Sequence, residues 1–129
     1  MRVRFADTDA MGVVHHAKYL EYFEVGRVDA FRQIGSSYAN AVARGIHVVV
    51  LDVTLRYHVP ARFDDVLLVS VELGSLERAR FSFEYRIMRE LDAALVVTGR
   101  TAHACVDAES LRPVRPPAWL IDDLALLKP

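Results

Sequence analysis

His15-His16-Ala17-Lys18-Tyr19-Leu20-Glu21-Tyr22-Phe23-Glu24-Val25-Gly26-Arg27-Val28-Asp29-Ala30-Phe31-Arg32-Gln33-Ile34 is the stretch that decides the fold. Tyr19, Leu20, Phe23, Ala30, Phe31 and Ile34 recur at helical spacing, and no proline interrupts them. The spacing predicts one helix from about His15 to Ile34, a rod of roughly 30 Å. Tyr22, Val25 and Val28 fill other angles around its axis, so the helix is expected to be enclosed on several sides. Gly35-Ser36-Ser37 ends it. Glycine suits a left-handed cap, and Ser36 or Ser37 can cap a second, short helix ending near Gly45.

Outward from the helix, the period changes to two. Arg2 to Ala6 alternates, with Val3 and Phe5 on one side and Arg2 and Arg4 on the other. Val48 to Val59 is rich in β-branched residues. Leu67, Val69, Val71 and Leu73 alternate with Leu68, Ser70 and Glu72, and Gly74-Ser75 marks a bend. Phe81, Phe83, Tyr85 and Ile87 alternate with Arg80, Ser82, Glu84 and Arg86. Glu90 to Ala93 turns the chain into a last strand, Ala94 to Val106, and a short amphipathic helix is expected over Trp119 to Leu127. Three or four consecutive long strands with short connections imply an antiparallel meander, and the long apolar helix must be covered by it. The fold class is α+β.

Composition excludes several functions. The chain has 129 residues, 53% of them hydrophobic and 26% charged, which fits a single domain over residues 1–129 with one core. Sixteen Lys+Arg against seventeen Asp+Glu leave a net charge of −1, without the basic excess of a nucleic-acid binder or a polybasic membrane anchor. Cys105 is the only cysteine, so an internal disulfide and a Cys-rich metal site are excluded, and its apolar strand suits a buried, inert thiol. No signal-peptide pattern and no membrane-length apolar run is present, so a cytoplasmic location without membrane insertion is expected. The five histidines lack zinc-ligand spacing, and on a helix the adjacent His15 and His16 would point in two directions; no metal is expected. Serine-elbow, phosphate-loop, dinucleotide and zinc-protease motifs are absent.

One segment can carry chemistry. Asp7-Thr8-Asp9-Ala10-Met11-Gly12 places two carboxylates on a turn just before the long helix. That helix start offers unpaired backbone N–H groups and the positive end of the macrodipole. Such donors stabilise a developing oxyanion while a nearby carboxylate attacks or activates water. The plainer reading is ordinary turn formation and capping by Asp.

The run Val3-Arg4-Phe5-Ala6-Asp7-Thr8-Asp9-Ala10-Met11-Gly12-Val13-Val14-His15-His16-Ala17-Lys18-Tyr19, with Tyr22-Phe23-Glu24, resembles the signature of the 4-hydroxybenzoyl-CoA thioesterase family. Tyr57-His58-Val59-Pro60-Ala61-Arg62-Phe63-Asp64-Asp65 looks like the family's second landmark. The resemblance spans essentially the whole chain and is greatest to the short-chain, Tol–Pal-associated branch. It implies a hot-dog fold, an antiparallel sheet wrapped around one long central helix, and hydrolysis of acyl-CoA to free acid and coenzyme A. Matched residue by residue, the family's catalytic carboxylate falls on Asp9, and the residue whose backbone N–H polarises the thioester carbonyl falls on His16. Gly12 matches the glycine that bends the loop, and Tyr19 an aromatic beside the acyl pocket, or a plain core residue. Asp7, the first acid of the motif, reads as structural. Met11 departs from the glycine common in the short-chain branch and bears on the shape of the acyl pocket. Arg78 and Arg80 lie near the bend where coenzyme A phosphates would be met, with solvated surface arginines as the plainer reading.

A thiolate leaves without much acid help, so one carboxylate and one oxyanion donor form a sufficient apparatus. Asp9 serves as nucleophile or as general base. No cofactor is needed, because coenzyme A is part of the substrate. The rival readings are an acyl-carrier-protein thioesterase, a non-catalytic acyl-CoA-binding hot-dog protein, and a hot-dog dehydratase or hydratase. The resemblance further implies a homodimer joined through its sheets, pairing again into a homotetramer.

Overall fold

A computed structural model describes residues 1–129. The element order is a 3-10 turn at Phe5–Asp7, helix α1 (Lys18–Gln33), α2 (Tyr38–Ala43), strands β1 (Ile46–Tyr57), β2 (Leu67–Leu76), β3 (Phe81–Arg89), β4 (Leu95–Asp107) and β5 (Pro113–Val114), and α3 (Ala118–Ala125). All strand pairings are antiparallel, in the order β1-β4-β3-β2, with β5 added to β4. The α+β class is as expected. The meander holds for β2, β3 and β4, which follow one another, but β1 lies beyond β4 and does not pair with β2. β1 is therefore an edge strand, and Val50, Leu51 and Val53 on it are exposed.

Helix α1 lies across the inner face of this sheet. Its buried side carries Tyr19, Tyr22, Phe23, Arg27 and Phe31. Phe23 stacks on Tyr85 of β3, with centroids 4.3 Å apart and planes 14° from parallel. A Cβ at Gly99 of β4 would collide with the Phe23 ring, so the helix sits this low only because that position is glycine. The opposite side differs from the expectation of an enclosed helix: Leu20 and Val25 remain exposed in the single chain.

The inner face of the sheet also holds a buried polar chain. Arg27 donates through Nη1 to the Tyr85 hydroxyl (3.0 Å) and through Nε to the Tyr38 hydroxyl (3.2 Å). Tyr85 pairs with Thr101 Oγ1, and Thr101 with His103 Nε2, both at 2.6 Å. The guanidinium only donates, so the Tyr85 proton points to Thr101. Burial, then the Arg27 charge, pushes the His103 imidazole down to about 4.

Three local expectations change. Arg2–Ala6 is not an alternating strand: Arg2 makes one bridge to Val66, Val3 is buried, and Phe5 is turned out by the 3-10 turn to pack edge-on against Phe63. The bend expected at Gly74-Ser75 is a register shift inside a continuous β2, and the chain reverses instead after Leu76. Helix α1 begins at Lys18 rather than His15. His15 and His16 precede it in a turn and do not diverge; their rings stack with centroids 4.2 Å apart. The short helix after Gly35 is capped as expected, with Ser37 Oγ accepting from the Asn40 N–H at 3.2 Å.

Candidate active site

The acidic turn is built by its own backbone. Asp9 N–H donates to the Val13 carbonyl and Gly12 N–H to the Asp9 carbonyl, both at 2.9 Å, closing a tight reversal. Gly12 has φ +77°, the left-handed conformation that glycine adopts without strain. Asp9 Oδ1 accepts from the Met11 N–H at 2.8 Å, which fixes the carboxylate and leaves Oδ2 without a partner in the chain. Thr8 and Val14 bridge across the reversal, and Val13 bridges to Arg62.

Asp7 faces the other way. It is 1% exposed and takes hydrogen bonds from the Tyr22 hydroxyl and Arg4 Nη2, each at 2.8 Å. Burial works against its charge, but the bonds from Arg4 and Tyr22 more than offset this and hold its carboxyl below the usual range. Its backbone carbonyl accepts the His15 N–H at 2.8 Å. Asp7 thus ties the turn to the start of α1.

Between that tie and the helix stands His16. Its N–H donates to no group of the chain, whereas its neighbours are engaged: His15 N–H to Asp7, Ala17 N–H to His15 Nδ1, Lys18 N–H to the His15 carbonyl. The His16 carbonyl accepts one hydrogen bond, from the Tyr57 hydroxyl at 2.9 Å. Tyr57 packs edge-on against Tyr19, whose hydroxyl accepts the Ala61 N–H at 3.3 Å. The Ala61 carbonyl in turn accepts the Val14 N–H at 2.8 Å.

Asp9, Met11, Val13, Val14, His16 and Tyr19 form one wall of a cleft of about 260 Å³, and Tyr57, His58, Val59 and Pro60 form the other. Of the sequence candidates, Asp9, His16 and Tyr19 meet here, with Gly12 in the adjoining turn. Met11 lines the mouth and is 78% exposed. Arg78 and Arg80 do not join them. Both are exposed at the reversal between β2 and β3, and Arg80 borders a separate polar hollow with Asp52, Glu77 and Arg100. Glu21 and Glu24 are exposed on α1. Sequence reasoning assigned no site role to Tyr57, His58, Val59 or Pro60. The signal was present: a strand running into proline, within the second motif. A larger hollow of about 490 Å³ lies between α1 and β2, lined by Val25, Leu68 and Val71 among others, and contains no candidate catalytic residue.

No helix is long and apolar enough to cross a membrane. The sequence pattern of the thioesterase-like superfamily matches residues 3–124. The chain is 35% identical over 116 residues to the acyl-CoA thioesterase YbgC of Haemophilus influenzae, covering 88% of this chain and 83% of that protein. Among solved structures, a protein from Aquifex aeolicus superposes with a TM-score of 0.90 at 34% identity, covering 96% of this chain and 95% of the other. The DHNA-CoA thioesterase of Staphylococcus aureus superposes with a TM-score of 0.87 at 30% identity, covering 95% and 81%.

Proposed function

This chain belongs to the thioesterase-like superfamily as a thioester hydrolase of hot-dog fold, and on that premise we propose that Asp9 and the His16 backbone N–H carry out acyl-CoA hydrolysis. The observation that carries the assignment is the pairing of two free groups in one cleft. Asp9 presents an unpartnered Oδ2, and His16 presents an unpartnered N–H in the turn just ahead of α1. The thioester carbonyl oxygen is received by that N–H, where the positive end of the helix adds to the stabilisation of negative charge. Asp9 either attacks the carbonyl carbon, giving a mixed anhydride that water then hydrolyses to free acid and Asp9, or takes a proton from the water that attacks in its place. Coenzyme A departs as a thiolate, so no general acid is required of the site. Tyr19, Val13, Val14 and Val59 give the cleft its apolar lining on both walls.

The functional unit in this reading is a homodimer, pairing further into a homotetramer. Support comes from the outer edge of β1, whose exposed Val50, Leu51 and Val53 leave apolar side chains and backbone groups without partners in one chain.

The test is release of coenzyme A followed with a thiol reagent across acyl-chain lengths, repeated with acyl-carrier-protein thioesters to read the carrier. Cys105 does not contaminate the signal, since it is fully buried and burial pushes its thiol up to about 11. Asp9→Asn is expected to abolish turnover while acyl-CoA binding persists. Hydrolysis by that variant at the wild-type rate would sink the assignment.

A further inference from the structure

The two walls of the cleft come from distant parts of the chain, and one hydroxyl joins them at the reacting end. Tyr57 is the last residue of β1 and pairs with Val97 on the final rung of the β1–β4 ladder. The next N–H, that of His58, continues onto the Val96 carbonyl at 2.9 Å, so the strand end is fixed. From there the Tyr57 hydroxyl reaches across 41 positions of sequence to the His16 carbonyl. It is the only hydrogen bond that the backbone N–H or carbonyl of His16 makes within the chain.

We propose that Tyr57 is a positioning residue for thioester hydrolysis: its hydroxyl anchors the His16 backbone and so keeps the His16 N–H aimed at the carbonyl oxygen. The inference rests on the thioesterase reading above. An oxyanion donor helps only if it is oriented before the charge develops. His16 lies in the turn ahead of α1, outside the helical ladder that holds Lys18 and its successors. Without Tyr57, His16 has no backbone bond of its own, and the donor is held only through the bonds of His15 and Ala17 on either side. The anchor is a backbone acceptor, so it acts regardless of the side chain at position 16.

Tyr57→Phe removes one oxygen and keeps the ring against Tyr19. At 52% exposure Tyr57 is not a core residue, so the fold tolerates the change. The expected result is a kcat lower by roughly 10- to 100-fold, in line with the cost of misplacing a catalytic group by about 1 Å. KM, and the Kd for a non-hydrolysable thioether analogue of acyl-CoA, should stay within about twofold, because the donor counts most in the transition state. The same fold-loss should recur when Tyr57→Phe is added to His16→Ala, which retains the backbone carbonyl.

Each contrary result overturns the proposal. Wild-type kcat in Tyr57→Phe, or a raised KM at constant kcat, makes Tyr57 at most a binding residue. Disappearance of the effect in the His16→Ala background would mean that Tyr57 acts through the imidazole. A loss of kcat that follows a lowered melting temperature and vanishes well below it would make the hydroxyl a structural tether. Asp9→Asn run alongside separates the two levels. A dead Asp9→Asn with a normal Tyr57→Phe removes the Tyr57 role alone, whereas an active Asp9→Asn removes the hydrolase reading and this inference with it.

Discussion

Gly99→Ala tests how the helix is seated. A Cβ at this position would meet the Phe23 ring, with Cζ at 2.6 Å, and the Thr54 carbonyl oxygen at 2.8 Å. Neither neighbour can yield easily. Phe23 is wholly buried and stacked on Tyr85, and Thr54 lies in the β1–β4 ladder beside the Leu55–Gly99 pair. Overpacking of a tight core costs about 1–3 kcal/mol, and a backbone obstacle places this site at the upper end. Replacing glycine also restricts the unfolded chain, which returns roughly 0.4–1 kcal/mol. The net loss is about 2 kcal/mol. With an unfolding entropy of about 2.1 cal/mol/K per residue, it lowers Tm by about 7 °C at fixed protein concentration. Phe23→Leu should itself destabilise by roughly 1–3 kcal/mol, but it vacates the space that the added methyl group needs. The double variant is therefore expected to lose at least about 1 kcal/mol less than the two single losses combined. Thermal melts of the four proteins measure this. A Gly99→Ala melt within about 1 °C of wild type, well short of the shift expected from the entropy scaling, or strict additivity in the cycle, would refute the close-approach account.

Two further outcomes follow from the core and the sheet edge. His103 has its folded value near 4 against about 6.5 unfolded, so the fold binds the neutral ring. Stability from this group is complete above pH 6.5 and declines as the pH falls towards 4, because only the unfolded chain takes up the proton. The loss is about 2 kcal/mol at pH 5. Urea midpoints at pH 7 and pH 5 should show that difference shrinking in His103→Gln, and equal shifts in both proteins would contradict it. At the sheet edge, light scattering should give at least twice the mass of one chain, and Leu51→Lys on β1 should lower it. A fully active monomer would rule out the paired unit.

Much of this molecule is written in its periodicities. Tyr19, Phe23 and Phe31 mark the buried side of α1 because helix packing selects apolar residues every third or fourth position. Phe81, Phe83, Tyr85 and Ile87 likewise mark the inner face of β3. What periodicity cannot carry is order in space: the pattern of β1 is the same whether it pairs with β2 or β4. Nor does hydropathy anticipate the burial of Arg27, Thr101 and His103, which are tolerated inside because they bond to one another through Tyr85. The acidic turn was legible, as Asp9 and His16 stand in one local motif. Its opposite wall is legible only as a second motif; that Tyr57 meets His16 depends on long-range pairing no local pattern carries.

The cleft also has a place in time. One wall hangs from the end of β1, and β1 is held in the sheet only by β4, the last long strand of the chain. A nascent chain that has released residues 1–60 from the ribosome holds every residue of the cleft and still lacks the cleft. Until Leu95–Asp107 emerges, β1 has no partner and Tyr57 has no fixed position from which to reach the helix. On the proposed assignment of this cleft, thioester hydrolysis during synthesis would begin only with the closing of the sheet.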